Sequence, residues 1–249
     1  GRIRSRRQLL DVLDRIKRDV DDSGMMEAMD RFTQQAVGIL TSGRFAEALD
    51  FSNEPTEVVA RYQAPPDKIE RFVTSESPEG SLKLLLARRL IEAGVRVVSL
   101  TISDFDTHSK NFPRMRQMAP IIDQGLTSLV EVLGQRGMLD DGTIVAWGEF
   151  GRTPFIQGNL KNRRRWGRDH HPYAFTTWMA GGGVKPGITW GASDDLAINS
   201  VTDKVHVHDF QATILHLLGI DHERLDFKFQ GRRYRLTDVH GKVVKGIIA

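Results

Sequence analysis

A compact β-branched run, Val95 to Ile102, is followed by a long amphipathic stretch and then by a second short apolar run, Thr143 to Trp147. The stretch between them, Asn111 to Gly134, repeats apolar side chains at helical spacing: Met115, Met118, Ile121, Ile122, Leu126, Leu129, Val130 and Leu133. Short runs of this kind read as buried strands. A helix of this length between two of them is the crossover that parallel strands require. The order predicts an α/β fold with a mostly parallel sheet. Tyr173 to Ala180 reads as a third strand, ended by Gly181-Gly182-Gly183.

Upstream, apolar spacing predicts helices over residues 5–22, 25–40 and 44–51, then an exposed connection over 65–80. Ser81 to Ala93 reads as a strong helix stopped by Gly94. His208 to Leu218 reads as another, stopped by Gly219, before a charged tail that ends in short strands. The expected organisation is a helical segment over 1–80 and an α/β domain over 81–249. With 249 residues, 40% of them hydrophobic, the chain can bury a proper core. No apolar stretch has the length of a membrane helix. A formal net charge of +3 does not imply nucleic-acid binding. The absence of cysteine removes thiolate metal sites and thiol nucleophiles.

Ligands of open α/β sheets bind beyond the carboxyl ends of the strands. Two segments follow strands there, Ser103-Asp-Phe-Asp-Thr-His108 and Gly148-Glu-Phe-Gly-Arg-Thr-Pro154, and a third, Gly167-Arg-Asp-His-His-Pro172, precedes one. Asp106 and His108 can offer one ion a carboxylate oxygen and a ring nitrogen. Glu149 and a histidine from position 170 or 171 would complete the shell. A mixed oxygen and nitrogen shell suits zinc, manganese or iron better than an all-oxygen calcium site. Arg152 could stabilise charge on a phosphate or sulfate oxygen. Asp169, beside the histidines, is the second candidate for a catalytic role.

Each segment also has a plainer reading. Asp106 and His108 could cap the next helix, Glu149 and Arg152 could form an ion pair in a turn, and adjacent histidines occur in ordinary loops. Capping or exposure is expected for His206 and His208, packing on an apolar face for His216, and a tail position for His222 and His240. The dense basic stretch Lys161 to Arg168 reads as a solvated loop or as a grip for an anionic substrate or polymer. The glycine triplet lacks the spacing and the strand-to-helix setting of a dinucleotide site.

The ordered segments Leu86-Ala-Arg-Arg-Leu-Ile-Glu-Ala-Gly-Val-Arg96, Asp106-Thr-His108, Gly148 to Pro154, Gly167-Arg-Asp-His170, Ala180 to Gly183 and Ala212-Thr-Ile-Leu-His-Leu-Leu-Gly-Ile220 resemble the domain-of-unknown-function family number fifteen hundred and one. That family is grouped with the alkaline phosphatase and sulfatase superfamily. The resemblance implies an α/β/α sandwich, of which this chain is the C-terminal part, an incomplete domain. It implies metal-dependent hydrolysis of sulfate or phosphate esters, with Asp106, His108, Glu149 and His170 as ligands of a divalent metal, zinc, manganese or calcium. The substrate would be a small-molecule or polysaccharide ester; neither nucleic acid nor a membrane span is expected. Phe150 stands where the superfamily has a further metal-binding histidine, and no residue of this chain matches its nucleophile. A non-catalytic secreted binding or scaffolding protein keeping the same fold is the alternative. Family members carry a twin-arginine export signal, so a periplasmic or secreted location is implied.

Overall fold

The computed structural model describes residues 31–63 and 78–249. The helix expected over 5–22, the first part of the one expected over 25–40, and most of the connection over 65–80 lie outside them. The chain divides into two compact units. The first comprises Gly1–Asp104 with Arg116–Leu129, the second Phe105–Met115 with Val130–Ala249.

In its described part the first unit is helical: α1 (Arg31–Thr41), α2 (Gly43–Leu49), α3 (Thr56–Tyr62), α4 (Leu82–Glu92) and the middle of α5 (Asn111–Gln135). Leu84, Leu85 and Arg88 form the buried face of α4. Met118, Ile121 and Leu129 form that of α5. Gly125 lets the two helices approach, since a Cβ there would lie 2.5 Å from Leu84 Cδ1. Tyr62 is fully buried at the end of α3, where the Arg61 carbonyl accepts hydrogen bonds from Gln124 and Ser128, each 2.6 Å long. Arg88 is buried too, and its charge is met by Glu92 at 2.9 Å and by Glu54, which also pairs with Arg89.

The expected strand Val95–Ile102 is absent as a strand. The segment has no regular structure and makes no ladder among the described residues, and Val97 is 68% exposed. Pattern and β-branching report a preference for extended backbone, whereas a strand needs a partner edge.

Among the described residues the sheets lie in the second unit, and all four are two-stranded and antiparallel. This corrects the mostly parallel sheet expected from the strand–helix–strand order. β1 (Thr143–Ala146) pairs with β4 (Trp178–Gly181), so the strand expected over 173–180 is confined to its last residues and Gly181. β2 (Gly151–Arg152) pairs with β3 (His170–His171), and β5 (Ala192–Ser193) with β6 (Ser200–Thr202). β7 (Asp226–Phe229) and β8 (Arg232–Arg235) are the short strands of the tail. Between them Gln230 and Gly231 both have positive φ, as a two-residue hairpin turn requires. The glycine triplet is explained by close approach: a Cβ on Gly181 or Gly182 would lie 2.1 Å or 2.0 Å from the carbonyl oxygens of Gly142 and Asp140.

Helix α6 (Val207–Leu217) is capped by His206, whose ring accepts from the backbone N–H of His208 while Asp209 accepts from that of His206. His216, expected to pack, is exposed. His222, expected in a loose tail, is buried and bonds through Nδ1 to Thr237 Oγ1 at 2.9 Å. No helix among the described residues is long and apolar enough to cross a membrane.

Candidate metal centre

Extended backbone turns successive side chains to opposite sides. In Asp106-Thr107-His108 exposure alternates in this way: Thr107 is buried, and Asp106 and His108 are exposed. Thr107 is fixed by its hydroxyl, which donates to Asn111 Oδ1, and by its carbonyl, which accepts from Arg168 N at 3.1 Å. The β2–β3 ladder sets Arg152 opposite His170, bringing the third segment to the second.

The result is a cluster around one atom. Asp106 Oδ1 lies 3.0 Å from His108 Nε2, 2.9 Å from His170 Nε2 and 3.2 Å from Arg152 Nη2. Among the described residues, Asp106, His108 and His170 are the group whose ligand atoms all lie within 4.8 Å of one another. The carboxyl of Asp106 is held below the ordinary carboxylate range, first by the hydrogen bond from His170 and next by that from Arg152. Arg152 also donates to the backbone carbonyls of Arg168, at 3.0 Å, and Phe105, so its guanidinium ties together the two segments that carry the ligands.

The surroundings orient both rings. His108 Nδ1 meets Gln157 Oε1 at 2.9 Å, and Asp169 Oδ1 at 3.6 Å. A ring that donates from Nδ1 to Gln157 turns a bare Nε2, when neutral, toward a carboxylate oxygen. Two acceptors 3.0 Å apart repel one another unless a second proton or a cation stands between them. This is the arrangement of a metal-binding histidine, whose far nitrogen donates to an outer partner and fixes the tautomer. A tetrahedral shell with bonds of about 2.1 Å spaces its donors by about 3.4 Å; here Asp106 Oδ1 lies 3.0 Å and 2.9 Å from the two Nε2 atoms, and all three donors fall within 4.8 Å of one another. The chemistry and spacing of the three donors therefore fit a divalent ion.

Phe150 lies flat against the His170 ring, with centroids 3.8 Å apart and planes at 16°. The Phe150 side chain thus braces the ring of His170. His171, adjacent in sequence, is buried and donates from Nε2 to the Ile198 carbonyl at 2.7 Å, which separates its role from that of His170. Glu149 stands exposed in the loop between β1 and β2, outside the three-residue group. Asp169 accepts from the His170 backbone N–H at 2.8 Å, and its side chain is more than half exposed.

Gln157 was not legible as part of the site. It lies 49 residues from His108, in a stretch without periodicity. Gly167 is its counterpart across an isolated antiparallel bridge, and a Cβ there would lie 1.9 Å from the His108 carbonyl oxygen. The one available signal was the Gly-Arg-Asp-His order, where a glycine precedes the ligand segment.

The protein family described as "Protein of unknown function (DUF1501)" matches residues 1–248. No curated protein and no solved structure matches the chain.

Proposed function

The chain belongs to the DUF1501 family over nearly its whole length, and from that premise we propose that it is a metal-dependent hydrolase of sulfate or phosphate esters. The observation that carries the metal half is the meeting of two imidazole Nε2 atoms on one oxygen of Asp106, with His108 tied through its other nitrogen to Gln157. The ester half rests on the resemblance of the ordered motifs.

Asp106, His108 and His170 would hold the ion, with Glu149 as the proposed fourth donor. A divalent ion supplies Lewis-acid polarisation of an ester oxygen. The chain's own residues set the stage for that. Arg152 keeps Asp106 ionised and fixes its direction. Phe150 restrains the plane of His170, and Gln157 selects the tautomer that leaves His108 Nε2 free to ligate. The exposed side of the cluster admits an anionic group, for which Arg152 is the proposed polar contact, and Asp169, which faces His108 Nδ1 at 3.6 Å, is kept as the second proposed catalytic residue.

Elemental analysis after dialysis against zinc and manganese tests the proposal, alongside turnover of aryl sulfate and aryl phosphate esters. Wild type is expected to retain about one equivalent of metal, and His108→Ala with His170→Ala to lose it together with any turnover. Gln157→Leu should weaken metal binding by roughly ten-fold or more, as loss of an outer partner does. Wild type without metal, or metal content unchanged in the double variant, refutes the reading.

A further inference from the structure

Beyond the bridge between Gln157 and Gly167 the chain makes an arm, residues 158–166, that carries Lys161, Arg163, Arg164 and Arg165, all exposed. Among the described residues no carboxylate pairs with any of these four cations. Both ends of the arm are fixed at the metal centre. Gln157 contacts His108 Nδ1, Gly167 lies against the His108 carbonyl, and Trp166 O accepts from Asn111 N at 2.8 Å. Arg163 is four residues from Gly167, so its backbone lies no more than roughly 14 Å from that anchor even at full extension.

Arg163, Arg164 and Arg165 form one 3-10 turn. With three residues per turn, successive side chains point about 120° apart. Three arginines so arranged cannot close on one small anion, but they can meet several anions spaced along a chain. Trp166, the aromatic ring inside the basic run, is engaged within the arm. Its indole N–H donates to the Leu160 carbonyl at 3.3 Å, and the Arg163 guanidinium lies 5.0 Å from its ring centroid. The arm therefore offers charge without an open stacking platform of the kind that single-stranded nucleic acid uses.

We infer that the arm grips polymeric substrates: a polysaccharide bearing sulfate or phosphate esters along its length, with neighbouring esters on Arg163–Arg165 while one ester lies at Asp106, His108 and His170. The inference rests on the ester-hydrolase reading and names the substrate class of that same site.

Arg164→Glu with Arg165→Glu tests it and leaves the Arg163–Trp166 contact in place. Binding of the full chain to dextran sulfate, dextran phosphate, uncharged dextran and single-stranded DNA is measured by fluorescence anisotropy over a salt series in EDTA. Metal content is measured in parallel without the chelator. Wild type is expected to bind at least one anionic dextran, more weakly as salt rises, and the double variant to lose roughly ten-fold or more in affinity. The dextran bound more tightly identifies the ester. The variant should keep the wild-type metal content. Equal binding by wild type and variant, no binding to either anionic dextran, or tighter binding to DNA overturns the arm's role and leaves the metal reading standing. A chain that binds dextran sulfate but never holds metal overturns the hydrolase reading, and the substrate assignment with it.

Discussion

Asp106, exposed, and Asp194, half-buried, are two carboxylates kept ionised by different means. Asp106 is served by side chains from two other segments, His170 and Arg152. Asp194 is served by its own loop. Its carboxyl is held below the ordinary range by the N–H of Ile198 first, with Asn199 and Leu196 adding to it. Its Oδ1 accepts from Ile198 N at 2.8 Å and its Oδ2 from Asn199 N at 2.9 Å. The loop matters to the centre because the Ile198 carbonyl accepts from His171, the neighbour of His170. A carboxyl whose folded value is depressed contributes stability in full above its unfolded value, about 3.9. That contribution is lost as pH falls through the folded value. The amide resonances of Ile198 and Asn199 should therefore titrate with a midpoint below about 3.9; a midpoint at or above it would show that the loop does not hold the charge. The sequence disclosed Asp106, His108 and His170 through their residue types and motif order, although the strand end that was expected to place the first two does not form. It disclosed neither Gln157 nor the difference between His170 and His171, since both depend on which distant atom each ring meets.

Helices were legible because their signal is local. Ser81 to Ala93 was expected and α4 spans Leu82–Glu92; Asn111 to Gly134 was expected and α5 spans Asn111–Gln135. What periodicity hid is the polar core of the helical unit. Arg88 sits on the apolar face of α4 with its side chain 1% exposed, and Glu54, from a turn 34 residues earlier, is buried with it at 4%. Burying one charge is costly, and burying a hydrogen-bonded pair is tolerable only while both partners remain. Arg89 adds to the network by donating to Glu54 and to the carbonyls of Ala48 and Asp50. Glu54→Ala would leave Arg88 with Glu92 as its remaining ionic partner and should cost about 3–5 kcal/mol of stability, the range for breaking a buried pair. Urea unfolding measures it; a loss below about 1 kcal/mol would put the pair with surface ion pairs. Glu54→Ala with Arg88→Met should recover much of the loss, because an apolar side chain then fills the space without a stranded charge.

At the scale of the whole molecule, the strand–helix–strand order was read correctly as an α/β composition and wrongly as a parallel sheet. Val95–Ile102 is the point of failure. Its residues prefer extended backbone, but the partner edge a ladder needs is not supplied among the described residues. Thr143–Ala146, with a similar composition, becomes a strand because Trp178–Gly181 comes alongside it. Glycines 181 and 182 allow that approach where any Cβ would strike the 139–142 turn. The two runs thus differ in partner rather than in propensity, and hydrogen exchange separates those causes. Amides bonded across β1 and β4 open only when the ladder opens, whereas those of an extended segment without a ladder exchange close to the rate of an open chain. In the isolated chain, the amides of Arg96 to Ile102 should exchange at least roughly a hundred-fold faster than the ladder amides of β1 and β4. Val95, whose N–H donates to the Leu90 carbonyl at 3.0 Å, should mark the boundary by staying protected. Equal protection across both runs would mean that Val95–Ile102 has found an edge, and the parallel sheet first expected would then have to be restored.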